Sequence, residues 1–356
     1  MASRKWCIGF VSALCFCLGV IAAVTIVIDP YIHYHKPMNQ LQYPLYKSKQ
    51  RYQNDGIERF FDYNAIITGT SMTENFKSSE ADKLFGVHSI KVPFSGGTYK
   101  EINENLSRAV SYNSHIKIVI RGLDYRMLLD DKDVMRYDEN MYPVYLYDDK
   151  LYNDVKYWFN KDILIDGTWE VIQFNLEGGK TPTFDEYSTW ADEFVYGEDA
   201  VLAEYERMRE CQVSIPITKE DYTCVWENFN QNVLKLAEDN PSIEFYFFFT
   251  PYSIYWWDNI KQEGLLERQL EAEKYAIQLM LKYENIHLFS FFTNYDMICN
   301  PNNYKDIMHY NADINSQILQ WMKKGKYELT EENYEAYCDA VYEFYMSYDY
   351  ESLFSK

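Results

Sequence analysis

Three short stretches hold residue types that could perform nucleophilic chemistry together. In "NAIITGTSMTENF", residues 64–76, an apolar run breaks off at Gly69 and Ser71 follows two residues later. In "YKDIMHYN", residues 304–311, Asp306 and His309 stand three apart. In "PFSGGTYKE", residues 93–101, Gly96 and Gly97 can bring backbone N–H groups close to a ligand oxygen at the start of a helix. A serine hydroxyl is a poor nucleophile until a base takes its proton, and histidine is the usual base. A carboxylate fixes the imidazole tautomer and stabilises its cation, while backbone donors face the oxyanion. Each stretch also has a plain structural use. Gly-Thr-Ser makes a turn, Gly-Gly makes a turn, and Asp caps a helix.

The elements that must position these residues follow an alternating pattern. Candidate strands are 64–68, 89–92, 116–121, 243–249 and 286–289. Helical patterns lie between them at 78–85, 98–110, 222–238 and 262–283, with a last pair near 311–324 and 331–346. Short apolar strands alternating with helices argue for right-handed βαβ units and a parallel sheet covered on both faces. The expectation is a three-layer α/β/α, doubly wound domain with a mainly parallel five-stranded sheet. In such a sheet ligands bind beyond the carboxyl ends of the strands, where all three stretches converge. The 238 residues between Ser71 and His309 are then no obstacle.

One segment breaks the rhythm. Residues 125–220 show no regular period and carry Gly, Pro, Asp and many aromatics. A structureless loop of that length is uncommon in a compact domain, so an ordered, aromatic-rich insertion with short helices is expected over the carboxyl edge of the sheet. At the other end of the chain, Trp6–Ile28 runs 23 residues without a charge, about 34 Å as a helix and enough for a hydrocarbon core of about 30 Å. Arg4 and Lys5 precede it, which favours a cytoplasmic amino end. A cleaved signal peptide competes, although its apolar region usually runs about 7–15 residues. The domain plan is an anchor over 1–30, a juxtamembrane segment over 31–60, the α/β domain over 61–330 with its insertion, and a C-terminal helix over 331–356.

Taken in this order, the blocks resemble the SGNH (GDSL-type) hydrolases and acyltransferases over about residues 60–325, apart from the insertion. The resemblance implies Ser71 as nucleophile, His309 as base and Asp306 as its partner, with Gly96 or Gly97 as an oxyanion donor beside the Ser71 amide. The family's third block usually supplies an Asn after the third strand, whereas this chain reads Arg121-Gly122-Leu123-Asp124. An ionised Asp124 accepts hydrogen bonds and repels an oxyanion, so another donor, such as Arg121, would have to substitute. The single anchor is similar to the branch that modifies cell-surface polymers, including proteins of teichoic-acid D-alanylation and alginate O-acetylation. Those work beside multipass membrane O-acyltransferases, which this implies as a partner here. The GxSxG elbow of α/β-hydrolases is not met, because residue 73 is Thr.

Composition narrows the partners. There are 34 basic and 54 acidic residues, net −20, and residues 1–50 hold five Lys/Arg against one acid, so the acidic excess lies beyond the anchor. Such a field repels nucleic acid. The 34 tyrosines suggest amphipathic surfaces that stack on sugars or proteins, and a coding bias explains them equally. "TPYSIYWWDN", residues 250–259, follows the fourth strand; Tyr252, Tyr255, Trp256 and Trp257 form either a sugar-stacking platform or core beneath the insertion. Asn75, Glu74, Gln53 and Asn54 are lesser candidates for a polar rim. Outside the anchor, Cys211, Cys224, Cys299 and Cys338 permit disulfides, with Cys211–Cys224 the nearest pair. No CxxC or His-rich cluster suggests a metal site; His33 and His35, in a Tyr-rich loop, suggest either a metal or membrane-partner contact or, more commonly, plain packing, and no cofactor is required. The reading is a membrane-anchored, extracytoplasmic serine acyltransferase or esterase acting on a cell-envelope glycan or teichoic-acid-like polymer. Its rival is a non-catalytic partner that binds a polysaccharide or a membrane acyltransferase through the same fold.

Overall fold

Five strands run parallel, and between successive ones helices carry the chain back. In the computed structural model, which describes residues 2–138, 141–148 and 150–354, β1 (Ala65–Thr68) is buried at every position. It pairs in parallel with β2 (Ser89–Lys91) and with β3 (Ile118–Leu123), the latter in the register Ala65 to Ile118 and Thr68 to Arg121. The sheet continues through β4 (Glu244–Phe249) and β5 (Ile286–Phe289), giving the order β2-β1-β3-β4-β5-β6. The chain first steps outward from β1 to β2 and then returns to the far side of β1 at β3. The order therefore reverses between β1 and β3, the place where an open α/β sheet ordinarily binds its ligand, beyond the carboxyl ends of the strands.

The sheet has six strands rather than the five expected. The extra one, β6 (Glu328–Leu329), runs antiparallel to β5. Two residues are too few to show a period. Tyr327, in the left-handed region just before it, marks a turn that its own sequence does not announce.

The helices named by periodicity are capped by their flanking residues. Thr98 opens α4 (Tyr99–Tyr112), its hydroxyl accepting from the Glu101 N–H. Asn311 does the same for the helix Ala312–Lys323, and Gly86 closes α3 (Ser78–Phe85) in the left-handed conformation. α3 packs on Ala312–Lys323, and Leu266–Met280 packs on Lys219–Phe229 and on the C-terminal helix Tyr334–Ser347.

The chain divides into two compact units, Met1–Phe61 with Tyr137–Thr183, and Asp62–Arg136 with Phe184–Lys356. The segment 125–220, expected as one insertion, is thus split. Residues 137–183 join the N-terminal stretch, and the remainder belongs with the sheet. The physical reason lies in the apolar partners of the first part. Tyr145, Leu146, Tyr157 and Ile163 bury themselves against Tyr31. In this first unit α1 (Ala2–Ile28) is long and apolar enough to cross a membrane, and α2 (Gln50–Phe60) follows it. Gly56 in α2 sits where a Cβ would fall 2.4 Å from the Ile32 carbonyl oxygen, so only glycine lets the helix lie on that strand of backbone. Gln53 and Asn54 are buried in α2. Gln53 accepts from the Tyr46 N–H and donates to the Pro44 carbonyl, so it braces a loop rather than rims a site.

The cysteines beyond the anchor, which permitted disulfides with Cys211 and Cys224 the nearest pair in sequence, are not bridged. Cys211 donates to the Lys261 carbonyl and Cys224 to the carbonyls of Leu129 and Asp130, and all seven cysteines are free.

Candidate active site

Ser71 stands at the β1/β3 reversal. After β1 the backbone turns at Gly69, whose φ of 150° lies in glycine territory, and Ser71–Thr73 form one 3-10 turn. Two glycines let that turn lie flat on the sheet. A Cβ on Gly69 would fall 2.6 Å from the Thr73 methyl, and one on Gly122 in β3 would fall 2.9 Å from it. Inside the turn, Thr70 Oγ1 accepts weakly from the Met72 N–H, and the Thr73 hydroxyl and N–H both donate to the Thr70 carbonyl. Ser71 holds the first position, where an N–H has no acceptor within the turn.

The second part of the site is a tight loop between the short 3-10 turn Pro301–Asn303 and the helix Ala312–Lys323. An isolated antiparallel bridge joins Tyr304 to Tyr310, and the Lys305 N–H donates to the His309 carbonyl. Ser253 pins the loop by donating its hydroxyl to the Ile307 carbonyl at 2.7 Å, and the Tyr304 hydroxyl donates to the Pro251 carbonyl. On the other side, the Tyr310 hydroxyl and Asn315 Nδ2 both donate to the Met72 carbonyl, at 3.1 and 3.0 Å. These two bonds fasten the histidine loop to the serine turn.

The result is a continuous relay. His309 Nε2 lies 2.8 Å from Ser71 Oγ, and His309 Nδ1 lies 2.7 Å from Asp306 Oδ2. Asp306 Oδ1 accepts the N–H groups of Met308 and His309 at 2.8 and 2.7 Å, while Lys305 Nζ reaches Oδ2 at 3.0 Å. Burial by itself would raise the Asp306 carboxyl. The hydrogen bond and charge of the His309 ring, with the two backbone donors, outweigh it and hold this group well below the usual carboxylate range. It is therefore an anion at any working pH. A fifth of the His309 side chain remains exposed, so the relay opens to solvent.

Two neighbours gave no signal in the sequence. Trp190 packs edge-on to the His309 ring, 5.7 Å between centroids, and its indole N–H donates to the Ser71 carbonyl at 3.3 Å. Lys305 lies over the Phe194 ring at 4.2 Å as well as beside Asp306. Residues 190 and 194 come from a segment without periodicity, and only folding brings them here.

The other expected site residues divide clearly. Gly97 donates its N–H to the Phe94 carbonyl at 2.7 Å, so that donor is committed within its own turn; Gly96, with φ 60°, backs onto the Arg136 guanidinium. Asp124 is buried; its carboxylate accepts from the Thr70 hydroxyl at 2.9 Å and from the Tyr252 hydroxyl. It braces the residue before Ser71. Arg121 lies buried in the helix layer, donating to the carbonyls of Asn232 and Tyr99, and burial lowers it to about 10.

Tyr252, Tyr255, Trp256 and Trp257 are core, not a platform. Each is at most a few per cent exposed; Trp256 packs on Tyr125, Trp257 on Phe292 and Tyr345, Tyr252 on Trp256, and Tyr255 on Tyr205. Asn75 is also buried. Its Oδ1 accepts from the Trp190 N–H and the Thr189 hydroxyl, so it holds the Trp190 segment in place, while its Nδ2 has no partner. Glu74 is buried, and its carbonyl accepts from Lys91, which burial lowers to about 7. His33 sits 3.6 Å from Asp154, and His35 bonds the Lys36 and Ile26 carbonyls. Among the described residues, no group of three or more His, Cys, Asp or Glu could hold a metal ion.

No family model matches the chain, and no curated protein matches it. Among solved structures, a Streptococcus pneumonia chain described provisionally as a platelet activating factor is similar at 12% identity and a TM-score of 0.39. The match covers 78% of this chain and 91% of that one, a likeness too loose to bear on mechanism.

Proposed function

We propose that the protein is a serine acyltransferase or esterase of the SGNH type. The observation that carries this reading is the unbroken Ser71–His309–Asp306 relay, with hydrogen bonds of 2.8 and 2.7 Å, at the reversal point of an α/β sheet. Ser71 Oγ attacks the acyl carbonyl and forms the C–O bond while its proton passes to His309 Nε2. Asp306, held ionised, keeps the Nδ1 proton in place and stabilises the imidazolium. The tetrahedral intermediate collapses, and the departing oxygen takes the proton from Nε2. An acceptor hydroxyl or water then gives its proton to Nε2 and attacks the acyl-serine, and as that intermediate collapses Nε2 returns the proton to the departing Ser71 Oγ. The Ser71 N–H, unspent within its turn, and the Gly96 backbone are the candidate oxyanion donors, because Gly97 and Asp124 are committed elsewhere.

In this reading α1 anchors the enzyme, Arg4 and Lys5 hold the amino end in the cytoplasm, and the remaining chain works outside. The substrate is an acyl group carried to or from a hydroxyl of an envelope polysaccharide or teichoic-acid-like polymer, with a multipass membrane O-acyltransferase as partner. The three-layer, doubly wound plan of the resemblance belongs to the same proposal. A second reading has one observation in its favour. With Gly97 and Asp124 spent on structure, the oxyanion site is thin, as in a glycan-binding protein that keeps the relay without using it.

Labelling of the full chain with a serine-reactive fluorophosphonate separates the two. Wild type labels, and Ser71→Ala and His309→Ala do not. Folded wild type that stays unlabelled would favour the binding protein.

A further inference from the structure

The helix that runs on through Lys161–Ile163, the π turn Leu164–Trp169 and Glu170–Leu176 has two apolar faces, and only one has a partner. Ile163, Gly167 and Val171 are buried at helical spacing. A Cβ on Gly167 would lie 3.1 Å from the Pro30 ring, so this face is seated on the residues that end α1. The opposite face carries Ile165, Trp169 and Leu176, which are 50%, 56% and 79% exposed. A surface helix ordinarily turns polar side chains outward. Just ahead of it, Leu151 and Tyr152 are 70% and 78% exposed, extending the same run of uncovered apolar side chains.

The attachment to the end of α1 is specific. Asp29, directly after α1, accepts the N–H groups of His33, Tyr34 and His35 and the hydroxyl of Tyr157 at 2.9 Å. The Tyr157 hydroxyl in turn accepts from the Tyr31 N–H at 3.2 Å. Segment 151–176 is therefore held at the level where a membrane-crossing α1 would leave the hydrocarbon. α1 is itself apolar and exposed along its length, Val24 and Val27 included, so the uncovered face continues a lipid-facing surface. Tyr152 and Trp169 are the residue types that settle at the headgroup boundary.

We infer that residues 151–176 form an interfacial helical shelf, lying in the outer headgroup region beside α1 with Ile165, Trp169 and Leu176 turned into the lipid. The inference rests on the membrane part of the proposed function and is independent of its chemistry. The shelf makes the attachment two-pointed, fixing the rotation of the first unit about α1 as well as its distance from the bilayer.

The test reconstitutes the full chain into phosphatidylethanolamine–phosphatidylglycerol vesicles that contain a phospholipid with a diazirine near its carbonyl group, and maps lipid adducts after illumination. Adducts on both α1 and residues 151–176 are expected. Trp169 emission, taken as wild type minus Trp169→Phe, should shift to the blue and lose its acrylamide quenching on reconstitution. Adducts on α1 alone, with Trp169 still quenched, would overturn the shelf and leave the anchor. Adducts on neither would overturn the membrane reading as well. Protein crosslinks at 151–176 in place of lipid adducts would overturn the shelf in favour of a protein partner.

Discussion

Replacing Asp306 by Asn tests the relay at its least exposed member. The carboxylate accepts four donors, and the two oxygens divide them. Oδ1 takes the backbone N–H groups of Met308 and His309, and Oδ2 takes His309 Nδ1 and Lys305 Nζ. Asn keeps the first pair through its single oxygen, so the loop should stay folded. Its Nδ2 group then meets two donors. His309 answers by moving its proton to Nε2 and accepting at Nδ1, the tautomer that cannot take the Ser71 proton. Loss of the base and of the anion behind it should slow serine acylation by roughly 10³–10⁴-fold, about 4–5.5 kcal/mol of barrier. The assay is the fluorophosphonate labelling rate of the full chain in detergent, followed by gel fluorescence, with circular dichroism as the check on folding. A folded Asp306→Asn protein that labels within tenfold of wild type would refute the relay as a working unit.

Three further outcomes follow from the same packing. Glu273 is wholly buried, and burial raises it from 4.5 to about 7, although the Tyr337 and Tyr125 hydroxyls pull the other way. The folded chain therefore holds this proton more tightly than the unfolded chain, and stability falls as pH rises from about 4.5 to 7. The gap is worth about 3 kcal/mol. Glu273→Gln should accordingly melt higher than wild type at pH 8 and alike at pH 4.5; a lower Tm at pH 8 would contradict the argument. Gly122→Ala places a methyl 2.9 Å from the Thr73 methyl and 3.1 Å from the Phe248 ring, which should cost about 1–3 kcal/mol and slow labelling by displacing the serine turn. Adding Thr73→Ser, which removes that methyl, should restore much of both, and no recovery would place the strain elsewhere. Asp124→Ala strands the Thr70 and Tyr252 hydroxyls, with an expected loss of about 1–3 kcal/mol for each and slower labelling, read by urea unfolding and the same gel assay. An unchanged labelling rate would mean that Thr70 does not transmit position to Ser71.

What the sequence yielded depended on how local its cause was. β1, β3 and β4 read correctly because a parallel strand covered on both faces must be apolar at nearly every position. The helix starts at Thr98 and Asn311 were legible because a cap is satisfied within three residues of itself. β6 was not, since a two-residue strand exists only through its partner β5. The run 250–259 shows the limit from the other side. Tyr and Trp suit a sugar platform and a core equally, and the choice is made by Phe292 and Tyr345, which lie 35 residues and more away in sequence.

The candidate site repeats this division, and Asp124 illustrates it. Strand ends are shared by construction, so the meeting of the 71 turn with the 304–310 loop follows from topology alone. Which group there faces a ligand does not. Asp124 occupies the edge where the resemblance would put an oxyanion donor, yet its carboxylate is consumed by Thr70 and Tyr252. Tyr252 belongs to the 250–253 stretch, whose Ser253 and Pro251 hold the histidine loop. One short segment therefore braces the serine turn through Asp124 and the histidine loop through backbone carbonyls. In this chain the carboxylate at 124 is better understood as the link that keeps Ser71 and His309 in register than as the remnant of a lost oxyanion donor.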